Sequence, residues 1–380
     1  MSPPTTSTYT IGLMSGTSLD GVDGVLLECG TSPAAFKVHA AASADLPDAL
    51  RQALLSLNQS GPDELHRAAV AASQLVELYA EVVAQLLQRS GLAAAQIRAI
   101  GAHGQTVRHR PPKGGEPWPY TLQINQPAQL AERTGINVVA DFRSRDIAAG
   151  GQGAPLVPAF HQRLFGHAGQ SVLVLNLGGM ANITALPANG AVYGLDSGPG
   201  NVLLDLWCQR HTGAWFDRDG AWGASGREQP ELLAHLLAEP YFLQRGIKST
   251  GRDLFHAGWL DERLRGFAGL PPADVQATLA CLTARSVALA VQGIAWGGAG
   301  PQQVWVCGGG SRNAHLMRLL AAELPQAQVQ ASDEAGWPAQ WVEAAAFAWL
   351  ALQTLEGKPG NLPSVTGARG SRVLGAIYPA

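Results

Sequence analysis

Residues 11–23 read IGLMSGTSLDGVD: a short apolar strand, a turn of small and hydroxylated residues, and the first steps of a second strand. The same design returns at residues 175–184, LNLGGMANIT, where an apolar run again gives way to glycines before a strand resumes. In the first turn Gly16 and Gly21 let main-chain N–H groups converge, and Ser15, Thr17 and Ser18 add hydroxyl donors, which is the chemistry of an anion cradle. Leu19 and Val22 complete that hairpin, and Asp20 and Asp23 can hold Mg²⁺ through water. The second turn offers Asn176, Gly178, Gly179 and Asn182. Alone, either is equally a hairpin that uses Ser, Asp and Gly for their backbone conformations. Two of them, one in each half of the chain, suit a nucleoside triphosphate whose β- and γ-phosphates are gripped from two domains with water excluded. A third piece is VCGGGSRN at residues 306–313. There Gly308, Gly309 and Gly310 let the main chain lie flat against a base or sugar, and the helix following Asn313 favours negative charge at its start. Such a strand-to-helix turn is common on its own.

The chain has 380 residues, 46% hydrophobic and 14% charged, so it can bury a large core as two domains or one large α/β body. A net charge of −3 with no long basic run argues against a nucleic-acid partner. The four cysteines, Cys29, Cys208, Cys281 and Cys307, are far apart and form no C-x-x-C pair, which points to a reducing compartment rather than a disulfide framework or zinc knuckle. The N-terminus lacks a basic leader region, and the most apolar later stretch, residues 279–296, is interrupted by Arg285 and Gln292. A cytoplasmic protein with no membrane partner is the expectation.

Strands are predicted over 9–14, 22–29 and 35–41. A long amphipathic helix follows over 68–92, on Val70, Leu75, Val76, Leu78, Val82, Val83, Leu86 and Leu87. A strand at 97–102 ends in HGQT (103–106), with further strands at 120–124 and 136–140 and a helix at 128–134. Glycine and proline concentrate at GGQGAP (150–155), the candidate passage to a second domain. Beyond it come strands at 171–177, 183–186 and 193–195, and a helix over 202–209 capped by Asn201. A helical pair fills 232–290, then a strand at 303–307, helices at 313–324 and 341–355, and a turn-rich tail. GIKST (246–250) ends like a P-loop, but Ile247 stands where the second glycine must be. GQG (151–153) lacks the third glycine of a dinucleotide fingerprint. Neither H-E-x-x-H nor G-x-S-x-G occurs.

The two hairpins and the glycine-rich turn resemble the actin, Hsp70 and sugar-kinase superfamily. Within it, GLMSGTSLDGVD (12–23) together with AHGQT (102–106), VVADFRSRDIAAGGQGAPLVP (138–158), LDSGPGN (195–201) and KSTGRD (248–253) closely resembles the anhydro-N-acetylmuramic acid kinase family, over residues 11–379. The resemblance implies an α/β fold of two ribonuclease H-like (actin-like ATPase) domains, with mixed sheets flanked by helices and an interdomain cleft. Domain I would span 1–145, completed by the tail from about 362 to 380, and domain II would span 146–361.

It also implies the reaction: ATP, water and 1,6-anhydro-N-acetylmuramic acid give ADP and N-acetylmuramic acid 6-phosphate, in peptidoglycan recycling. The 6-oxygen of that sugar is locked in an internal ether and has no proton for a kinase base to remove, so water must open the ring. By similarity Asp196 deprotonates a water that attacks the anomeric carbon while the freed 6-oxygen takes the γ-phosphoryl group. A carboxylate, ionised at neutral pH, suits that task. Without the resemblance Asp196 is as readily an Asp capping a turn. The family match assigns ATP, with Mg²⁺, to the three glycine-rich segments and places Gln105, Thr106 and Glu343 near the sugar. A homodimer is implied too. His103 reads more readily as a structural histidine than as a ligand. Arg143 and Arg145 either meet the lactyl carboxylate through a bidentate guanidinium or form a solvated or interdomain pair. Two other functions share these features. One is an ATP-binding sugar sensor without turnover; the other is a kinase of a free sugar hydroxyl, whose proton Asp196 would take.

Overall fold

The computed structural model of the chain describes residues 8–16, 19, 21–30, 36–112, 117–244, 246, 248–251 and 254–380. Thr17, Ser18 and Asp20 of the first hairpin lie outside the described residues, as do Ile247 and, in the KSTGRD string, Arg252 and Asp253. Two compact units emerge, Met1–Leu164 with Trp341–Ala380, and Phe165–Gln340.

The first unit opens with an antiparallel meander, β1 (Thr8–Met14), β2 (Gly21–Cys29) and β3 (Lys37–Asp45). Helices α1 (Asp48–Ser56) and α2 (Glu64–Ser90) lead to β4 (Ile97–Ala102), parallel to β1. A two-stranded hairpin, β5 (Gln105–Arg110) and β6 (Tyr120–Ile124), precedes α3 (Pro127–Thr134) and β7 (Val138–Ala140), which is parallel to β4. Short helices α4 (Ser144–Ala148) and α5 (Pro158–Phe165) follow. The periodicity predicted over 68–92 is α2, whose buried stripe runs through Leu75, Val76, Tyr79, Val82, Val83 and Leu86. Gly91, at φ 71°, ends it by donating its N–H to the Leu87 carbonyl, the left-handed cap that glycine adopts without a steric penalty. Val70, counted in that stripe from the sequence, is exposed, and Tyr79 takes a place in the core instead.

In the second unit β8 (Val172–Leu177), β9 (Met180–Leu186) and β10 (Tyr193–Pro199) again form an antiparallel meander. Helices α6 (Val202–Thr212), α7 (Ala221–Ser225), α8 (Pro230–Leu237), α9 (Pro240–Leu243), α10 (Ala257–Arg263) and α11 (Pro272–Gln292) follow. Then β11 (Gln303–Cys307), parallel to β8, passes through α12 (Ala314–Glu323) to β12 (Gln328–Ala331), parallel to β11. The sheet orders are β3-β2-β1-β4-β7 in one unit, with a further strand beyond β7, and β10-β9-β8-β11-β12 in the other. Counted within each sheet both read third, second, first, fourth, fifth, with the same directions. The chain therefore carries two copies of one α/β, ribonuclease H-like topology, as the paired hairpins led us to expect.

The chain then re-enters the first unit through α13 (Val342–Leu355), α14 (Pro363–Thr366) and β13 (Ala376–Tyr378), which pairs antiparallel with β7. The sequence expectation set the domain edges at 145/146 and 361/362. Contacts divide the chain at 164/165 and 340/341 instead, so α13, and with it Glu343, belongs to the first unit. The reason lies in two glycines that are register partners across β1 and β4, Gly12 and Gly101. A Cβ on Gly12 would sit 1.8 Å from the Ala344 oxygen and 2.6 Å from the Ala348 nitrogen, and one on Gly101 would sit 2.1 Å from the Phe347 oxygen. The backbone of α13 thus rests directly on the sheet. On the other face Ile11 and Leu13 pack with α2, where a Cβ on Gly24 would sit 2.3 Å from Val82.

By length and composition α2 and α11 could each cross a membrane, yet both are core helices, and α11 is buried nearly all round.

Substituting either sheet glycine should push α13 off its seat. Gly12→Ala and Gly101→Ala are each expected to lose about 3 kcal/mol or more of folding stability in urea titrations. Gly179→Ala, where an added Cβ meets nothing within 4 Å and φ lies outside the left-handed range, is expected to stay within about 1 kcal/mol of the parent.

Candidate active site

In the first unit the parallel pairing of β1 and β4 brings Ser15 and the HGQT segment to the same end of the sheet, with the His103 N–H donating to the Leu13 oxygen at 3.0 Å. Ser15 is buried and its hydroxyl donates to Gln105 Oε1 at 2.7 Å. Gly104, at φ 78°, donates its N–H to the Tyr79 hydroxyl at 3.1 Å, so α2 fixes the bend before β5. Burial pushes the Tyr79 phenol up to about 12. Thr106 Oγ1 accepts from Gln123 on β6 at 3.2 Å.

His103 is buried against Phe347 of α13, ring centroids 4.7 Å apart, and its Nε2 accepts from Arg143 Nε at 3.0 Å. A guanidinium only donates, so the imidazole is neutral with its proton on Nδ1. Burial first, and the Arg143 charge second, hold it well below the usual histidine range. His103 is thus buried and neutral, with its Nδ1 left without a hydrogen-bond partner. Arg143 also donates to the Gly153 oxygen at 2.9 Å. Desolvation lowers it to about 10, opposed by the charges of Glu343 and Asp146. Glu343, in the first turn of α13, therefore lies in the electrostatic reach of Arg143, whereas Arg145 is exposed. Asp146 is fully buried and accepts from the Gly153 N–H at 2.8 Å, Asn361 Nδ2 at 2.6 Å and the Thr366 hydroxyl at 2.8 Å. It ties the glycine-rich segment to the tail, and a Cβ on Gly151 would run into its carboxylate at 2.2 Å.

The first hairpin differs in detail from the cradle expected. Leu19 and Val22 are core residues, so only their main chain faces outward. Leu19 has φ 60°, and its carbonyl accepts from Arg51 Nε at 2.9 Å, a hold on the turn that the sequence reading missed. Gly21 is glycine because a Cβ would meet the Ala44 oxygen at 2.6 Å. Asp23 is partly exposed and pairs with Met14.

In the second unit the turn between β8 and β9 is stitched to the start of α6. The N–H groups of Gly200 and Val202 donate to the Gly179 oxygen, and that of Asn201 to the Gly178 oxygen. Asn201, expected to cap α6, instead donates its side-chain amide to the Leu177 and Gly178 oxygens at 3.0 and 3.1 Å. Added Cβ atoms on Gly179 and Gly309 would meet nothing within 4 Å, and one on Gly178 only the Met180 oxygen at 3.6 Å. Gly308 and Gly310 are needed by the fold: the first has φ 81° and abuts Asn176, the second packs on Leu177. Asn313 Oδ1 caps α12 by accepting from the Leu316 N–H at 2.9 Å.

Asp196 lies within β10, which runs on through Pro199 instead of ending at 195. Each of its four polar groups is engaged. Its N–H donates to the Lys248 oxygen at 3.0 Å, and its carbonyl accepts from the Tyr241 hydroxyl at 2.8 Å. Carboxylate Oδ1 accepts from Asn182 Nδ2, and Oδ2 from the Thr250 N–H, both at 2.9 Å. Asn182, assigned to nucleotide, thus orients the carboxylate. Burial raises the carboxyl to about 6, opposed by the Thr250 N–H, the Asn182 amide and the Lys248 charge. Lys248, Thr250 and Tyr241 were not singled out by chemistry in the sequence: only the KSTGRD string pointed at the first two. Such an arrangement holds one carboxylate rigidly, with spare lone pairs to take a proton near neutrality.

The sequence profile of anhydro-N-acetylmuramic acid kinase matches residues 8–380. The protein of that name from Bordetella petrii is 58% identical over 375 residues, 97% of this chain and 96% of its own. The one from Variovorax paradoxus is 57% identical over 375 residues, 97% and 98% of the two chains. Among solved structures, xylulose kinase from Rhodospirillum rubrum aligns over 96% of this chain and 94% of its own at 13% identity and a TM-score of 0.45. By the profile match over residues 8–380 and the relatives at 57–58% identity, the chain belongs to the anhydro-N-acetylmuramic acid kinase family.

Proposed function

We propose that the protein is an ATP-dependent kinase that opens the internal ether of 1,6-anhydro-N-acetylmuramic acid with water and phosphorylates O6, giving N-acetylmuramic acid 6-phosphate and ADP in peptidoglycan recycling. The observation that supports this most is Asp196, a carboxylate fixed at all four polar groups and poised at about 6. In the reaction the water oxygen bonds the anomeric carbon as its proton passes to Asp196. The bond from that carbon to O6 breaks, and O6 bonds the γ-phosphorus as the bond to ADP breaks. Asp196 then returns the proton to solvent.

Gln105, set by Ser15, and Thr106, set by Gln123, present polar groups to the sugar from the first unit, together with Glu343. An added Cβ would meet nothing within 4 Å at Gly179 and Gly309 and only the Met180 oxygen at 3.6 Å at Gly178, so what these glycines offer is main chain that a triphosphate or an adenosine can approach closely. Mg²⁺ belongs to the same reading. Among the described residues no three His, Cys, Asp or Glu side chains gather as a metal group. A magnesium ion carried on ATP needs only one or two carboxylates beside phosphate and water, which the partly exposed Asp23 fits. Bound there, it would neutralise charge on the β- and γ-phosphates. A cytoplasmic homodimer completes the proposal, with sedimentation velocity to check the stoichiometry.

Asp196→Asn is expected to bind ATP as the parent does but to lose about two to four decades of turnover; wild-type turnover by that variant removes the assigned base. Because the folded carboxyl lies near 6, protonation below that pH removes the base, so kcat should fall on the acid side of about pH 6 and stay level above it. In ¹⁸O-water the product should carry one solvent oxygen at the anomeric carbon by mass spectrometry. An unlabelled product would mean direct phosphorylation of a free hydroxyl.

A further inference from the structure

The reading of Asp196 as the base leaves unexplained a buried cation beside it. Lys248 is 6% exposed. Its ammonium donates to the Tyr241 oxygen at 3.2 Å and lies 4.6 Å from the centroid of the Tyr241 ring. That ring's hydroxyl donates to the Asp196 carbonyl, and the Lys248 carbonyl accepts from the Asp196 N–H. A lysine that served as a phosphate ligand would hold its head group toward solvent; this one is folded back on an aromatic face. An ammonium taken out of water and held only by a carbonyl and a ring is costly unless a carboxylate's field supports it. Asp196 is the carboxylate whose field reaches it; the two make no direct ion pair, and the geometric link between them runs through Tyr241 and the paired main chains.

Resting on the function proposed above, we propose that Lys248 is a positioning residue: its ammonium seats Tyr241 on the Asp196 main chain and holds the Asp196 carboxylate in its charged, proton-accepting form. Among the described residues the groups facing Asp196 are few. The 248–250 segment brings the Lys248 charge, α9 brings Tyr241, β9 brings the neutral Asn182, and α11 brings the neutral Thr283 and Ser286 to the adjoining Gly200 and Gly198. Among the described residues Lys248 is thus the cation that bears on the base. Burial lowers its own value, and the Asp196 charge opposes that.

The test is kcat against pH, with saturating ATP and anhydro-sugar, for the parent, Lys248→Met, Lys248→Arg and Tyr241→Phe. Lys248→Met is expected to lose about tenfold or more in kcat and to move the acid limb up by about one pH unit, with KM for ATP within about twofold of the parent. Lys248→Arg, which keeps the charge, should restore the position of the limb. Tyr241→Phe loses one hydrogen bond to the main chain and should lose about tenfold in kcat with the limb unmoved. A limb that stays in place in Lys248→Met overturns the proposal, as does a rise in KM for ATP at unchanged kcat. Should Lys248→Met fail to fold, Tyr241→Phe at the parent's kcat, or Lys248→Arg with a displaced limb, overturns it instead. Asp196→Asn separates the two claims: an inactive Asp196→Asn with an unmoved limb in Lys248→Met removes only the role of the lysine.

Discussion

The first unit depends on a helix backbone lying directly against a sheet backbone. Gly12 and Gly101 stand side by side on β1 and β4, and the carbonyls of Ala344 and Phe347 occupy the space their side chains would need. No side-chain layer separates the two, so the position of α13 is set by main chain, which repacking cannot adjust. Phe347 is then pressed between Phe142 and His103, at 5.5 and 4.7 Å between centroids. Through His103 the contact reaches Arg143, and through Arg143 it reaches Gly153. A helix that arrives from the far end of the sequence thereby fixes the segments that follow β4 and β7.

The second unit solves a different problem. β10 is the edge of its sheet, and an edge strand exposes unpaired main-chain groups. Residues 248–250 cover that edge at Asp196, taking its N–H and giving one of their own to its side chain. What would be a liability becomes a means of fixing a carboxylate. Because the Thr250 donor is a main-chain N–H, its hold on the base is independent of the side chain at that position. Tyr241 and Asn182 close the remaining two sides.

Much of this was legible in the sequence because it rests on patterns of short range. The meanders, α2 and the return of a strand-turn-strand design in the second half follow from alternation, from 3.6-residue spacing and from glycine placement. What escaped needed contacts distant in sequence. Asn201 has the composition of a helix cap, yet its amide is drawn to carbonyls more than twenty positions earlier. Leu19 and Val22 read as part of an anion turn, and only the fold shows that their side chains are buried in the core of the first unit. Glu343 fell within the second-domain span of 146–361 that the resemblance implied, whereas the glycine pair seats its helix on the first sheet. That Lys248 of the GIKST string packs against a tyrosine ring is invisible without the fold.

The ionisable groups of the two units pull in opposite directions as pH changes. Asp196, raised to about 6 in the fold, contributes stability that is whole below the unfolded carboxyl value of about 3.9 and gone once pH has risen through 6. His103 and His161 are held by burial below the histidine range, His161 to about 3, so their contribution is whole above roughly 6.5 and is lost as pH falls toward their folded values. The window in which both histidines are neutral without cost and the base is ionised therefore opens just above pH 6.5. In that window Asp196 is charged against the preference of its surroundings. A carboxylate held so, by one main-chain and one side-chain donor and beside a buried cation, gains by taking a proton from a bound water, which is the property the chemistry asks of it.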